Sequence, residues 1–173
     1  MELETDLDRI RELADRQEDE NWQFRAFLKS CHLSARKIDA MVHRRLNEVS
    51  RAIDCPTCGN CCKIVTPVLS PRDIKRLTKE LEISSADMIT RYLMPDENGE
   101  GHTFKTRPCP FLSDNRCMVY AARPEDCRSY PHLHKKDFVT RLIQVVQNCS
   151  VCPIVYNVFE LLKGDLWRGR RRR

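Results

Sequence analysis

The stretch Asp54–Cys62, DCPTCGNCC, sets four cysteines within eight positions, and the reading of these residues decides what fold the chain can have. A single cysteine usually serves as a small buried apolar side chain, and Cys31 in KSCHLS reads that way. Four crowded together gain nothing over alanine or valine by packing, and they risk oxidation. Metal ligation and disulfide exchange through C-P-T-C then remain. Exchange needs one attacking thiol of lowered pKa and one partner, which leaves most of the other cysteines without a role. Metal ligation is the stronger reading.

Spacing supports it. Cys55, Cys58 and Cys61 follow C-x2-C-x2-C, so tight turns between them can aim three thiolates at one centre. Gly59, inside the second turn, is the residue able to take an unusual backbone angle there. The same triple opens the iron–sulfur run C-x2-C-x2-C-x3-C-P, and Cys109 and Cys152 each precede proline. Zinc also uses C-x2-C knuckles, so both metals stay open. Adjacent side chains in an extended segment point to opposite sides, so Cys61 and Cys62 do not bind one tetrahedral ion together. If both are ligands, two metal centres or a multinuclear cluster follow.

Outward from this stretch, Cys109, Cys117, Cys127, Cys149 and Cys152 bring the candidate ligands to nine, against the eight that two tetrahedral thiolate sites require. Thiolates around a divalent ion leave net negative charge, which neighbouring cations should offset. Arg107, Arg116, Arg123 and Arg128 fall within four residues of Cys109, Cys117 or Cys127. Arg107, Arg123 and Arg128 are accordingly candidate cofactor-contacting residues. ARPEDCR reads as a helix start with Pro124 at the first position, which would put Cys127 where the helix dipole favours a thiolate. His102, His132 and His134 read as core or surface residues rather than ligands.

The rest of the chain predicts an α-rich α+β protein. Residues 1–53 read as a helical N-terminal region, with Leu3, Leu7, Ile10 and Leu13 at helical spacing, Asn21 as a cap before Trp22 and Phe24, and Ser34 as a cap before Ile38, Val42 and Val49. It should pack on a small, loop-rich, metal-stabilised cysteine domain over 54–163. Within that domain Ser70, Pro71 and Asp73 form a helix start, as does Ser84 or Ser85, and PDENGEG is a turn. At most a short β-hairpin is expected, with HTFKT pairing CMVYA. Pro153 to Leu162 predicts a closing apolar helix, and 164–173 a basic tail.

Hydrophobic residues at 41 % and charged residues at 32 % allow a thin core. The net charge of +5 equals the five arginines of the closing RGRRRR, so the remainder is neutral. Nucleic-acid binding through the tail is therefore a minor expectation, and a protein partner is open. The opening ELETDLDRIRE lacks the apolar run of a signal peptide, and no run of eighteen apolar residues suggests a membrane span. A cytoplasmic protein is expected, where reducing conditions favour metal-bound thiols over disulfides. No phosphate loop, dinucleotide fingerprint or nucleophile–base pair points to a particular enzyme.

CPTCGNCC, then PCPFLSDNRCMVYAARPEDCRSYP, then a late cysteine before proline, together resemble the YkgJ family of cysteine-cluster proteins, described as zinc- or iron-chelating domains. The resemblance spans about residues 54–153. It implies that Cys55, Cys58, Cys61, Cys62, Cys109, Cys117, Cys127 and Cys152 are the shared cysteines, framed by Tyr120, Arg123, Pro124, Arg128 and Pro131. Cys149 is an addition that makes a second C-x2-C pair with Cys152. The reading that follows is a cytoplasmic metal-binding protein holding an iron–sulfur cluster or a two-metal centre in a redox or accessory role. A zinc-stabilised interaction module binding protein or RNA is the alternative.

Overall fold

The computed structural model describes residues 3–168. Along the chain the helices are α1 (Leu7–Arg16), α2 (Glu18–Ser30), α3 (Ala35–Ala52), α4 (Cys55–Cys58), α5 (Asn60–Ile64), α6 (Pro71–Leu81) and α7 (Ser85–Tyr92). Four short strands follow, β1 (Leu93–Pro95), β2 (His102–Phe104), β3 (Leu112–Ser113) and β4 (Arg116–Cys117). The chain then forms α8 (Glu125–Ser129), α9 (Leu142–Asn148) and α10 (Pro153–Lys163). The protein is helix-rich α+β. It divides into two compact units, Cys55–Tyr130 and the two flanking segments that end at Asp54 and begin at Pro131. The sequence reading ran the cysteine domain to 163, whereas the compact cysteine-bearing unit ends at Tyr130.

In the unit of flanking segments, α3 packs on α10, α2 on α9, and α1 on α2 and α10. The apolar spacing read from the sequence produces this core: Ile10, Ile38, Val42 and Val49 are buried with Phe24 and Phe159. Phe24 meets Phe159 edge-on at 5.1 Å between centroids and Trp167 at 5.6 Å. Truncating a ring so buried costs about 3–5 kcal/mol. Ser34 caps α3 as expected, its Oγ accepting from the Lys37 amide. Asn21 does not cap: α2 begins three residues earlier, and Asn21 lies buried within it. Three acidic residues in the first turn of α2 favour the earlier start through the helix dipole.

Two features close this unit. The buried Asp39 carboxylate accepts from the Asp137 and Phe138 amides, both at 2.9 Å, and so holds the 3-10 turn Phe138–Arg141. Lys163, fully buried, donates to Glu160 at 2.5 Å and to Glu20 at 3.4 Å, and Arg168 pairs with both acids. Residues 164–168, read from sequence as part of a tail, are folded: Gly164–Arg168 is a π-helical turn with Leu166 and Trp167 buried. The arginines after Gly169 lie outside the described residues. Among the described residues no single helix is long and apolar enough to cross a membrane.

The unit Cys55–Tyr130 is built around Leu69, Leu77, Met88, Leu93, Phe104, Phe111 and Val119, with Cys109 and Cys117 packed against this core. Ser70, Pro71 and Asp73 start α6 with a full capping box, and Ser84 caps α7. Two antiparallel hairpins form, and neither is the pairing expected. HTF pairs with Leu93–Pro95 across the 96–101 turn, in the register Leu93↔Phe104, and not with CMVYA. The second hairpin joins β3 to β4 through Asp114 and Asn115, both with positive φ. That two-residue loop matches the right-handed strand twist, so Cys117 pairs locally with Leu112 and the chain turns at Tyr120–Ala122 into a 3-10 helix.

Candidate metal centre

Seven of the nine candidate ligands belong to the Cys55–Tyr130 unit. Gly59 has φ +62, the left-handed angle anticipated for it, and it separates two single-turn helices, α4 carrying Cys55 and Cys58 and α5 carrying Cys61 and Cys62. Cys61 and Cys62 therefore lie on a helical turn and not on an extended segment. Their side chains diverge by about 100°, not by the half-turn expected, and the Cys61 thiol donates a hydrogen bond to Cys62. The two thiols do not face opposite sides.

The second half of the site is delivered by the core. The Cys109 amide donates to the Cys62 carbonyl at 2.8 Å, which seats the PCPF segment on α5. Helix α4 packs on β4, the strand that ends in Cys117. The amides of Phe111 and Val119, each two residues beyond a cysteine, donate to the sulfurs of Cys109 and Cys117. Both donors belong to buried residues and so are held in place. Cys127 comes from α8, whose position Asp73 fixes. The buried Asp73 carboxylate accepts from Ser70 and Arg76, and it also accepts the Glu125 amide at 2.9 Å. Asp126 accepts the Val68 amide at 3.0 Å.

Cys62 is shifted in the direction opposite to Cys109, Cys117 and Cys127. The hydrogen bond from Cys61, helped by the Arg123 charge and opposed by burial, brings Cys62 down to about 7. The charge of Cys62 is in turn felt at Cys109, Cys117 and Cys127. Burial first, and then these like charges, push Cys109 up to about 11, Cys127 up to about 12 and Cys117 in the same direction. For Cys127 this overturns the sequence expectation, because burial and the neighbouring thiols outweigh any help from the short helix α8. Thiols that oppose one another's ionisation form a donor set that a cation would reverse, since a bound metal deprotonates its thiols.

The three candidate arginines divide. Arg107 donates to the Ile64 carbonyl at 3.3 Å. Arg128 donates to the carbonyls of Arg123 and Ala121 and so ties α8 to the preceding turn. Arg123 is the one whose charge reaches Cys62 and Cys117. Its guanidinium lies 3.5 Å over the Tyr120 ring, and its buried Nε has no hydrogen-bond partner. A thiolate-rich centre supplies the acceptor such an atom lacks, so the donor set and its surroundings fit a metal. Among the described residues no three His, Cys, Asp or Glu side chains converge closely enough to hold an ion as they stand.

Cys149 and Cys152 belong to the other unit. Cys149 is 2 % exposed at the end of α9, and its Sγ donates to the Val145 carbonyl at 3.3 Å. Burial pushes its thiol strongly up. Cys152 is buried at the position before Pro153, and its carbonyl accepts the Tyr156 amide in the first turn of α10. Sequence reasoning missed Phe111, Val119, Asn115 and Arg76. The first two left a signal, an apolar residue two places after each of Cys109 and Cys117.

No curated protein and no solved structure matches the chain. The CxxCxxCC family, described as "Putative zinc- or iron-chelating domain", matches residues 54–153, which takes in CPTCGNCC, the PCPF hairpin, α8 and the Cys149–Cys152 pair, and the chain belongs to that family.

Proposed function

We propose that the Cys55–Tyr130 unit holds a thiolate centre of more than one metal atom, an iron–sulfur cluster ahead of a zinc pair, in a cytoplasmic redox or accessory role. One observation carries the reading: seven candidate thiols fall in this one unit, more than the four that a single tetrahedral ion takes. Among them the Cys109 amide donates to the Cys62 carbonyl, and the charge of Cys62 acts on Cys109, Cys117 and Cys127. When bound, iron and sulfide would supply one-electron redox chemistry and zinc would supply cross-linking alone. The chain's residues hold the sulfurs. Phe111 and Val119 amides orient Cys109 and Cys117, Asp73 sets α8 and Cys127, and Arg123 offsets the charge.

Anaerobic purification followed by metal and labile-sulfide analysis tests this. Iron and sulfide in comparable amounts, with broad visible absorption, are expected. Colourless protein carrying zinc would replace the cluster by the zinc pair, and protein that takes up neither metal would remove the reading.

The alternative, a zinc-stabilised interaction module, draws support from the exposed side chains of Ile64, Met118 and Tyr120, each within three residues of a candidate ligand. Deleting residues 169–173 separates its two versions: loss of RNA capture supports the tail, whereas retained binding excludes it.

A further inference from the structure

The seven thiols of this unit are not equally sheltered. Within CPTCGNCC, Cys55, Pro56 and Thr57 are exposed, Gly59 and Asn60 are buried, and Cys58, Cys61 and Cys62 are half-buried, so Cys55 is the exposed thiol of the four. No residue of α4 is buried. Gly59, by contrast, is locked against the backbone of Asn115. Cys109 and Cys117 lean on the apolar core, with amide donors fixing both sulfurs. Helix α4 is thus the solvent-facing element of this group. It packs on β4, so it borders the thiol group while its first three residues face solvent.

We propose that Cys55 is the exchangeable ligand of the centre, the position at which an external small thiol replaces a protein sulfur and metal is delivered or withdrawn. This rests on the thiolate-metal reading above. The step is a ligand exchange without redox change. The bond from metal to the incoming sulfur forms as the bond from metal to Cys55 breaks, and the proton of the incoming thiol passes to the Cys55 sulfur. The core-backed sulfurs keep the metal meanwhile. A closed structural zinc site has all four positions filled by protein ligands, whereas an exposed ligand is one that an external thiol can reach and replace.

The test uses the full chain loaded with Co(II), whose thiolate charge-transfer absorption reports the sulfurs bound to it. Cys55→Ser should retain cobalt but lose about a quarter of the absorption of one four-coordinate ion, and added glutathione should restore it. Cys109→Ser should show a loss that glutathione does not restore, because that sulfur leans on the core. Transfer of cobalt from the unaltered chain to a chromophoric chelator should accelerate in proportion to glutathione, a readout independent of how the variants fold. Restoration of both variants alike, restoration of neither, or a transfer rate indifferent to glutathione overturns the proposal and leaves the metal centre standing. An unaltered chain without thiolate–cobalt absorption removes the centre and the proposal with it.

Discussion

Gly59 and Asn115 meet backbone to backbone: a Cβ added at Gly59 would stand 2.6 Å from the Asn115 carbonyl oxygen and 2.9 Å from its Cα. The CPTCGNCC loop and the β3–β4 turn are thus seated on each other by the absence of one side chain. The left-handed φ at Gly59 adds a second reason for glycine.

Gly59→Ala should therefore lose on both counts. The backbone cannot yield as a flexible side chain would, so a destabilisation of roughly 1–3 kcal/mol is expected. Urea unfolding of the metal-free protein measures it, and chelator competition should show weaker metal binding alongside. An unchanged midpoint and affinity would mean that the loop does not rely on this contact.

Arg123→Met should weaken metal binding by about tenfold, the usual scale for loss of a partner outside the ligand set. The change removes the charge felt at Cys62 and Cys117 and leaves the ligands in place. Arg123→Lys should recover part of the affinity, because the charge returns without the planar donor. Competition with a chromophoric chelator at fixed ionic strength distinguishes the three proteins.

Metal removal should be felt unevenly. With thiols supplying part of the internal cross-linking of the Cys55–Tyr130 unit, amide hydrogen exchange should speed up in α4, α5 and the β3–β4 hairpin after chelation. The amides of α3 and α10, protected by an apolar core of their own, should exchange as before. Uniform loss of protection across the chain would contradict this division.

Acid should find a specific weak point at Asp165. Hydrogen bonds from Arg45, at 2.5 and 2.8 Å, and the charges of Arg45 and Arg44 hold its carboxyl below the usual value against a smaller opposing effect of burial. A carboxyl depressed in the folded state stabilises above its unfolded pKa, and that contribution is lost as pH falls through the folded value. Asp165→Asn should accordingly melt at a lower temperature than the unaltered protein near pH 7. The gap should narrow below about pH 4, where the unfolded carboxyl takes its proton. Melting curves across pH 2–7 read this directly.

Local signals in the sequence translated well. The starts of α3, α6 and α7 were legible at Ser34, Ser70 and Ser84 because a cap is an interaction with the chain's own next turn. The φ of Gly59 was legible for the same reason. Pairings between segments were not. HTF found Leu93–Pro95, of which Pro95 was read as the opening of a turn, because the chain turns extended once Tyr92 ends α7 and Leu93 enters the core. The adjacent pair Cys61–Cys62 was misjudged because its geometry depends on whether the segment is helical, and the sequence reading assumed a strand. The role of Asp73 was half visible. Its capping of α6 could be read from spacing, but its hold on the Glu125 amide could not.

The unit bearing the seven thiols is one unbroken stretch of chain, while the other is assembled from a segment before it and a segment after it. During synthesis the ribosome releases every part of the first before it has finished the second. The seven thiols therefore emerge together while α1, α2 and α3 still wait for α9 and α10, so any metal they take can bind before the other unit is complete.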